Sequence, residues 1–249
     1  MKALILAAGY ATRLYPLTEN QPKPLLEIGN KAILGHILEK LESIDEINQI
    51  FVVSNHRFYD HFRTWLIDYK KSSTKRIKLV DDGTFTNEDR LGAIGDINFV
   101  LQEEDVDDDL LVIAGDNLFG FSLQKYIQFF RKTNKSMVAL KDLKDKEKIK
   151  GTYGVGIVEG TKIIDFEEKP LFPKSTLAAT ACYLFKKNDL NLVGQAIAQG
   201  KADKPGDMIK FLVNNSEAHG YVFNEHWFDI GSFDSLKEAE DVYGKLLKN

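Results

Sequence analysis

The sequence predicts a mixed α/β fold, in which a mainly parallel sheet carries helices on both faces and is joined to an antiparallel hairpin portion. Short unbroken apolar runs alternate with amphipathic segments through the first 80 residues, which is the pattern of parallel strands linked by covering helices. From Gly151 the pattern changes, because a Glu159-Gly160 turn separates two stretches that predict a hairpin. We expect a single domain over residues 1–249, with residues 1–145 and 146–249 as its two halves.

The first half supplies the parallel sheet. Apolar runs without alternation predict buried strands at residues 2–7, 49–54 and 77–80, and another strand that starts at Leu110 and ends at Gly115. Apolar residues at helical spacing predict helices at residues 34–43, 58–69, 94–101 and 123–133, and a strand follows at residues 137–143. Such sheets bind ligands at the carboxyl ends of their strands, so the residues after each strand are the candidates for a site.

The second half begins with the hairpin and ends in helices. The hairpin strands begin at Tyr153 and Lys162, and the second of them ends at Pro170. Helical spacing predicts helices at residues 190–199 and 207–213, with the sequence Lys204-Pro-Gly-Asp as the break between them. An amphipathic helix at residues 233–247 completes the predicted elements.

Composition limits the classes of protein that fit. A hydrophobic content of 43% and a charged content of 28% are ordinary for a soluble globular protein. The net charge of −4, without a basic block, argues against nucleic acid as a partner. No apolar run approaches membrane length and no signal peptide is evident, so we expect no membrane partner and a cytoplasmic location. Cys182, the single cysteine, is expected to be a buried thiol, and the question of a homo-oligomer stays open.

A turn suited to anions follows the first strand. Ala7, Ala8 and Gly9 leave backbone N–H groups uncovered, and Arg13 comes four residues after the glycine. Lys23 stands between two prolines that restrict the backbone on either side of it. Exposed amides with two cations are what the phosphates of a nucleoside triphosphate require. The turn is not a Walker A loop and not a dinucleotide fingerprint, since the required glycines and the Gly-Lys-Ser/Thr sequence are missing.

Asp116 stands at the tip of the predicted central strand. A carboxylate in this position is either an acceptor satisfied within its loop or a metal ligand, and the motif alone leaves both readings open. If Asp116 faces the phosphate turn, it becomes a Mg²⁺ ligand, because Mg²⁺ takes one or two carboxylates together with phosphate oxygens. The five histidines show neither metal-ligand spacing nor a neighbouring nucleophile, so we expect them to be packing or surface residues.

These motifs together resemble the sugar-1-phosphate nucleotidylyltransferase family. Residues 6–25 match the family signature over about twenty positions of mixed chemistry, with Ala11 as a departure where the family has a second glycine. The sequence Gly-Asp-Asn-Leu-Phe at residues 115–119 resembles the glucose-1-phosphate thymidylyltransferases in particular. Glu-Glu-Lys-Pro at residues 167–170 and the pattern from Trp227 to Asp229 complete the resemblance. It implies a Rossmann-like nucleotidyltransferase (GT-A-like) fold in a short form, without the C-terminal left-handed β-helix of some relatives.

The resemblance also implies a set of site residues and one cofactor. A nucleoside triphosphate and a sugar 1-phosphate are the implied substrates, and Mg²⁺ is the implied cofactor, held by Asp116 and Asp229. The implied catalytic residues are Arg13, Lys23, Asp116 and Lys169. The implied nucleotide-binding residues are Leu6, Ala7, Ala8, Gly9, Tyr10, Ala11, Thr12, Arg13, Asp82 and Gly92. The implied sugar-phosphate-binding residues are Tyr153, Gly154, Glu168, Lys169, Thr180 and Trp227.

Several alternatives remain at this stage. We expect dTTP or UTP with glucose 1-phosphate, but the loop at residues 81–95 matches the thymidylyltransferases poorly, so GTP with mannose 1-phosphate competes. CTP with phosphocholine would need an aromatic cage, to which Trp227 could contribute. A catalytically silent regulatory protein of the same fold is the rival from another class. The charged residues that such proteins tend to lose are all present, which favours an enzyme: Arg13, Lys23, Asp116, Lys169 and Asp229.

Overall fold

The computed structural model describes residues 1–201 and 204–246 of the 249-residue chain. Thirteen strands lie within these residues. They are β1 (Lys2–Leu6), β2 (Glu27–Ile28), β3 (Lys31–Ala32), β4 (Gln49–Ser54), β5 (Arg76–Asp81), β6 (Leu110–Ala114), β7 (Asn117–Phe119), β8 (Ser136–Asp142), β9 (Val155–Glu159), β10 (Lys162–Glu167), β11 (Leu177–Phe185), β12 (Ala218–Phe223) and β13 (Trp227–Asp229).

Seven α-helices lie within the same residues. They are α1 (Ile33–Glu42), α2 (Tyr59–Tyr69), α3 (Gly92–Glu103), α4 (Leu123–Thr133), α5 (Asn191–Ala198), α6 (Pro205–Asn215) and α7 (Phe233–Leu246). Local sequence explains two of the helix starts. Ser122 caps α4 by accepting a hydrogen bond from the N–H of Lys125. Pro205 occupies the first turn of α6, where its missing N–H costs nothing.

The chain divides into two compact units, which we describe separately. The β1 unit contains Lys2–Arg90, Ile113–Gly120 and the residues from His226 onward. The β8 unit contains Met1, Leu91–Val112 and Phe121–Glu225. The chain therefore passes from one unit to the other within β6.

Parallel pairing dominates the β1 unit. Strand β4 pairs with β1 on one side and with β5 on the other, with Leu6 opposite Val53 and Ser54 opposite Asp81. At the end of β6, the N–H of Gly115 donates to the carbonyl of Leu6 over 2.8 Å. The carboxyl ends of these strands, and the loops that follow them, therefore lie at one edge of the sheet.

The strands of the β8 unit form both parallel and antiparallel pairs. Its strands follow the order β11-β8-β12-β10-β9, and β9 also pairs with β11. Strand β12 is parallel to β8, whereas β11–β8, β10–β12 and β10–β9 are antiparallel. Its core is apolar and includes the fully buried Phe166 and the thiol of Cys182, whose burial was expected.

The predicted mixed α/β fold is confirmed. The strand at residues 49–54 and the helix at residues 123–133 are observed where the sequence predicts them. The predicted hairpin is also observed, but its turn lies at Gly160-Thr161, because Glu159 still pairs with Lys162 as the last residue of β9. The Lys204-Pro-Gly-Asp segment was wrongly predicted to be a break, because Pro205 begins α6. The end of the helix predicted at residues 233–247 falls on residue 247, which lies outside the described residues. No helix within the described residues is both long and apolar enough to cross a membrane.

Candidate active site

The loop after β1 is held open by a neighbouring side chain. The N–H of Ala7 donates to Val53, and the side-chain amide of Asn55 donates to the carbonyl of Ala8 over 2.9 Å. Asn55 is itself fixed, because its side-chain oxygen accepts from the N–H of Phe58. Within the described parts of the chain, the N–H groups of Ala8, Gly9 and Tyr10 donate to no protein acceptor. The loop therefore offers consecutive amides to an anion.

Ala11 lies in the left-handed region, with φ 48° and ψ 37°. A hydrogen bond from the hydroxyl of the buried Thr18 to the carbonyl of Ala11, 2.8 Å long, supports this conformation. The loop therefore keeps a geometry that glycine adopts without strain, even though the residue here is alanine.

Replacing Ala11 with Gly is expected to stabilise the protein. Removing the strain of a left-handed alanine raises the free energy of unfolding by about 1 kcal/mol. The greater freedom of glycine in the unfolded chain offsets part of this gain. Urea unfolding of wild type and A11G measures the difference, with Ala198→Gly at the end of α5 as a control that should destabilise. A clear loss of stability in A11G would mean that the alanine methyl group makes contacts that outweigh the strain.

Close backbone packing brings Lys23 to Asp116. A Cβ at Gly115 would lie 2.7 Å from the carbonyl oxygen of Leu6 and 3.2 Å from Cγ of Pro24. Glycine at this position therefore lets β6, β1 and the Pro-Lys-Pro segment meet. The result is an ion pair in which Nζ of Lys23 lies 2.5 Å from Oδ2 of Asp116, with the two side chains only 12% and 25% exposed.

Asn117 orients the other oxygen of Asp116. Its side-chain amide donates to Oδ1 of Asp116 over 3.0 Å, and its own side-chain oxygen accepts the indole N–H of Trp227 over 2.5 Å. Asn117 is 3% exposed. The sequence alone assigns no role to Asn117, although it lies within the Gly-Asp-Asn-Leu-Phe motif. Trp227 belongs to the same hydrogen-bond network, because its indole N–H donates to Asn117.

The pairing of two short strands places Asp229 beside Asp116. Strand β13 runs antiparallel to β7 with Asp229 opposite Asn117, and the N–H of Ile230 donates to the carbonyl of Asp116 over 3.1 Å. The guanidinium of Arg13 lies close to the same segment, since a Cβ at Gly231 would lie 3.4 Å from its Nη2. Backbone pairing thus brings the segments that carry Asp116 and Asp229 together in the β1 unit, with Lys23 on Asp116 and Arg13 near Gly231.

This donor set fits a hard divalent cation. Two hydrogen bonds engage the carboxylate of Asp116, one at each oxygen, and a carboxylate can accept about four. No group of three or more His, Cys, Asp or Glu side chains suited to a metal occurs in residues 1–201 and 204–246. A cation held by Asp116 and Asp229 would thus take its remaining ligands from phosphate and water, as Mg²⁺ commonly does.

Hydrogen bonds within the loop after β5 fix its conformation. Asp82 is buried, and its Oδ1 accepts hydrogen bonds from the N–H and the hydroxyl of Thr84 over 2.7 and 2.8 Å. The hydroxyls of Thr84 and Tyr10 lie 3.0 Å apart, so this loop is tied to the loop after β1. Gly92, the other residue predicted for this part of the nucleotide site, begins α3 with φ 77° in the β8 unit.

Lys169 and Glu168 follow β10 in the β8 unit. Lys169 is exposed and has a left-handed backbone, with φ 45°, although a proline follows it. Strain of this kind in a lysine is typical of a functional position. Burial raises the pKa of Glu168, the charge of Asp207 adds to the rise, and Lys169 and Lys204 oppose it.

Thr180 and Gly154 have structural contacts in the same unit. The hydroxyl of Thr180 is buried and donates to the carbonyl of Ala139 over 3.0 Å. The side chain of Thr180 is therefore engaged inside the β8 unit, which argues against its predicted contact with a sugar. Gly154 precedes β9 together with Tyr153, and its carbonyl accepts from the N–H of Ala179 over 2.9 Å.

Comparison with known families identifies the chain. The profile described as nucleotidyl transferase matches residues 2–245. The chain belongs to the nucleotidyl transferase family. The predicted family is thus confirmed.

Curated relatives extend the likeness over the whole chain. The chain is 32% identical over 261 residues to the bifunctional protein GlmU of Methanocaldococcus jannaschii, a match that covers 100% of the chain and 58% of the relative. It is 29% identical to a protein of Sulfolobus acidocaldarius named as a mannose-1-phosphate guanyltransferase, over 93% of the chain and 60% of the relative. The chain therefore spans less than two thirds of the length of these relatives.

Solved structures share the fold. A Bacillus anthracis protein named as a glucose-1-phosphate thymidylyltransferase superposes on this chain with a TM-score of 0.85 and 24% identity, over 98% of this chain and 95% of that one. A UDP-glucose pyrophosphorylase gives a TM-score of 0.80 at 21% identity, over 98% of both chains. At these identities the likeness establishes the nucleotidyltransferase fold and leaves the substrates open.

The raised pKa of Glu168 has a consequence for stability. A carboxyl group whose pKa is higher in the folded state contributes stability below its unfolded pKa, about 4.5, and loses it as the pH rises through the folded value. Replacing Glu168 with Gln should therefore raise the melting temperature at pH 7, and the gain should shrink toward pH 4. Thermal unfolding of wild type and E168Q between pH 4 and pH 7 measures this difference in melting temperature.

Glu217→Gln is the control of opposite sign. Its hydrogen bond with His219 lowers the pKa of Glu217, so Glu217 contributes stability above its unfolded pKa and loses it as the pH falls through the folded value. E217Q should thus lower the melting temperature at pH 7. A melting temperature for E168Q below that of wild type at pH 7 would contradict the burial argument.

Proposed function

We propose that this protein joins a nucleoside triphosphate to a sugar 1-phosphate, forming a nucleoside diphosphate sugar and releasing pyrophosphate. The observation that carries the proposal is the ion pair of Lys23 with Asp116, held beside the open amides of the loop after β1. A cation and a carboxylate fixed by backbone packing next to an anion-binding turn suit the transfer of a nucleotidyl group. They contribute little to structure alone, because a largely buried ion pair is a weak source of stability.

The nucleotide is bound by the β1 unit in this proposal. The N–H groups of Ala8, Gly9 and Tyr10 donate to the phosphates, and the guanidinium of Arg13 offsets the charge of the departing pyrophosphate. Lys23 neutralises charge near the α-phosphate. Asn117 keeps the carboxylate of Asp116 in one orientation, so that this group and Asp229 present oxygens in a fixed direction.

The sugar 1-phosphate is bound by residues of the β8 unit. Lys169 binds its phosphate, Glu168 accepts hydrogen bonds from sugar hydroxyls, and Tyr153 and Gly154 offer backbone contacts. A phosphate oxygen of the sugar 1-phosphate attacks the α-phosphorus, and the bond from that phosphorus to the bridging oxygen of the β-phosphate breaks in line. One phosphoanhydride bond forms and one breaks, so no covalent enzyme intermediate is needed.

Members of this family generally use a divalent metal, and we propose Mg²⁺ held by Asp116 and Asp229. When bound, it would add positive charge at the α-phosphate.

For the base we propose a pyrimidine, dTTP or UTP, and for the sugar we propose glucose 1-phosphate. Guanine presents two N–H donors that suit a carboxylate accepting through both oxygens. Oδ1 of Asp82 already accepts two hydrogen bonds from Thr84, which disfavours this mode of recognition. GTP with mannose 1-phosphate is the second candidate, because one relative is named as a mannose-1-phosphate guanyltransferase.

A substrate panel tests the proposal. Pyrophosphate release is measured for dTTP, UTP, CTP, GTP and ATP, each with glucose, mannose, galactose and N-acetylglucosamine 1-phosphates and with phosphocholine. We expect the highest kcat/KM for dTTP or UTP with glucose 1-phosphate. The best rate for GTP with mannose 1-phosphate, or for CTP with phosphocholine, would overturn the substrate assignment. Nucleotide binding without pyrophosphate release from any pair would indicate a regulatory protein.

A further inference from the structure

The carboxylate of Glu168 lies against the first turn of helix α6. A Cβ at Gly206, the second residue of α6, would lie 1.8 Å from Oε2 of Glu168 and 2.7 Å from its Cδ. Gly206 is buried, and Pro205 before it fixes the start of the helix. The carboxylate therefore occupies the space that any side chain at position 206 would fill.

A second glycine bounds the same space. A Cβ at Gly154 would lie 3.0 Å from Oε2 of Glu168, and 2.7 Å from the ring of Phe166, which is fully buried. The carboxylate thus lies between two stretches of backbone without side chains, one before β9 and one in α6. This enclosed position also accounts for the raised pKa of Glu168, whose largest cause is burial.

We propose that Gly206 is a positioning residue for substrate, because its missing side chain sets the place of the Glu168 carboxylate and so the fit of the sugar. The inference rests on the proposed function, in which Glu168 binds sugar hydroxyls. Gly206 acts through Glu168 and needs no contact with the ligand. Its influence is expected on the sugar 1-phosphate and not on the nucleotide, since the amides and cations proposed for the nucleotide belong to the β1 unit.

The two glycines differ in what a side chain would disturb. At Gly206 the two nearest atoms belong to the end of the flexible Glu168 side chain, and Cε1 of Phe166 is next at 3.0 Å. An alanine can be accommodated when the carboxylate of Glu168 moves away and the ring of Phe166 shifts by a few tenths of an ångström. At Gly154 an alanine must displace the buried ring of Phe166, which would disturb the core. Gly206→Ala is therefore the variant that moves the carboxylate while leaving the fold in place.

The test compares G206A with G194A. Gly194 is a glycine of α5 whose added Cβ would meet its nearest atom, in Asn98, at an ordinary 3.5 Å. A displacement of about 1 Å in a positioning group can cost on the order of 10²-fold, so G206A should lower kcat/KM for the sugar 1-phosphate by about 10- to 100-fold. The KM for the nucleotide should stay within about twofold of wild type, and G194A should match wild type in both constants.

Shortening the side chain at position 168 tests whether the steric conflict in G206A can be relieved. Glu168→Asp withdraws the carboxylate by one methylene group, so it should cost less in the G206A background than in wild type, which a double-mutant cycle measures. If G206A fails to fold, Glu168→Ala combined with Gly206→Ala should fold again, because the clashing group is gone. Wild-type kinetics in G206A, additive effects in the cycle, or a double variant that stays unfolded would each overturn the inference.

A measurement without turnover separates this inference from the proposed function. Carbon-13 NMR follows the pKa of the Glu168 carboxyl, which should fall toward its ordinary value in G206A and stay raised in G194A. If wild type turns over no substrate pair but the pKa shifts as expected, the proposed function fails while the steric position of Glu168 stands. If wild type is active and the pKa is the same in G206A, the role of Gly206 fails alone.

Discussion

Asp116→Asn is expected to lower kcat by about 10³-fold or more while the protein stays folded, and Asp229→Asn should have a similar effect. Each change removes a negative charge that the proposed cation requires. Asp116→Asn also replaces a carboxylate oxygen that accepts from Lys23 over 2.5 Å. Steady-state pyrophosphate release at saturating substrates, with Mg²⁺ or Mn²⁺ varied, gives both kcat and the dependence on metal.

The two aspartates should act as one unit. If both hold a single ion, the double variant should be little slower than either single variant, because the ion is already lost after one change. Asp68→Asn is the matched control, since Asp68 is an exposed aspartate on α2 that pairs with Lys71, and it should retain wild-type activity. Losses that add fully in the double variant would contradict a shared cation.

Lys23→Ala should lower turnover by about 10²- to 10³-fold, which corresponds to about 3–4 kcal/mol of lost transition-state stabilisation. The fold should persist, because the packing of Pro24 against Gly115 does not depend on the lysine side chain. The KM for the nucleotide should change less than kcat, since the ammonium of Lys23 is proposed to act mainly in the transition state, where negative charge develops. Pyrophosphate release and a thermal melt on the same preparation measure both.

Lys71→Ala provides the comparison for Lys23. Both lysines pair with an aspartate, but the pair of Lys71 with Asp68 is exposed, with side chains 72% and 78% accessible, so its loss should change little. Near-normal turnover in a folded Lys23→Ala protein would remove Lys23 from the proposed mechanism.

Strong local patterns made part of the fold predictable. The run at residues 49–54 is apolar on both faces and became β4 at the predicted residues. The helix at residues 123–133 has both its apolar spacing and its Ser122 cap in the sequence. By contrast, β11 was not predicted, because its small residues show no alternation and Ala181 interrupts the strand with φ 50°. Three-residue strands such as β7 and β13 are too short for any periodicity.

The residues of the candidate site also fall into those that the sequence could identify and those that it could not. Asp116 could be named because a carboxylate at the end of an apolar strand stands out, and Lys23 because it stands between two prolines after a turn suited to anions. Asp229 could be named only through the resemblance to the family. The roles of Asn117 and Gly206 could not, since each depends on which distant residue packs against it: Trp227 in one case and Glu168 in the other. Ala11 could be singled out as a departure, but only the backbone shows that it takes a left-handed conformation.

Phosphorus-31 NMR of wild type with dTTP or UTP, glucose 1-phosphate and Mg²⁺ tests the central claim most directly. The account predicts that the signals of the triphosphate and the sugar 1-phosphate decline together, while a nucleoside diphosphate sugar and pyrophosphate grow in equal amounts. The same mixture with Asp116→Asn should stay unchanged on that timescale. Formation of orthophosphate or nucleoside diphosphate without a nucleoside diphosphate sugar would show hydrolysis and would contradict the proposed transfer.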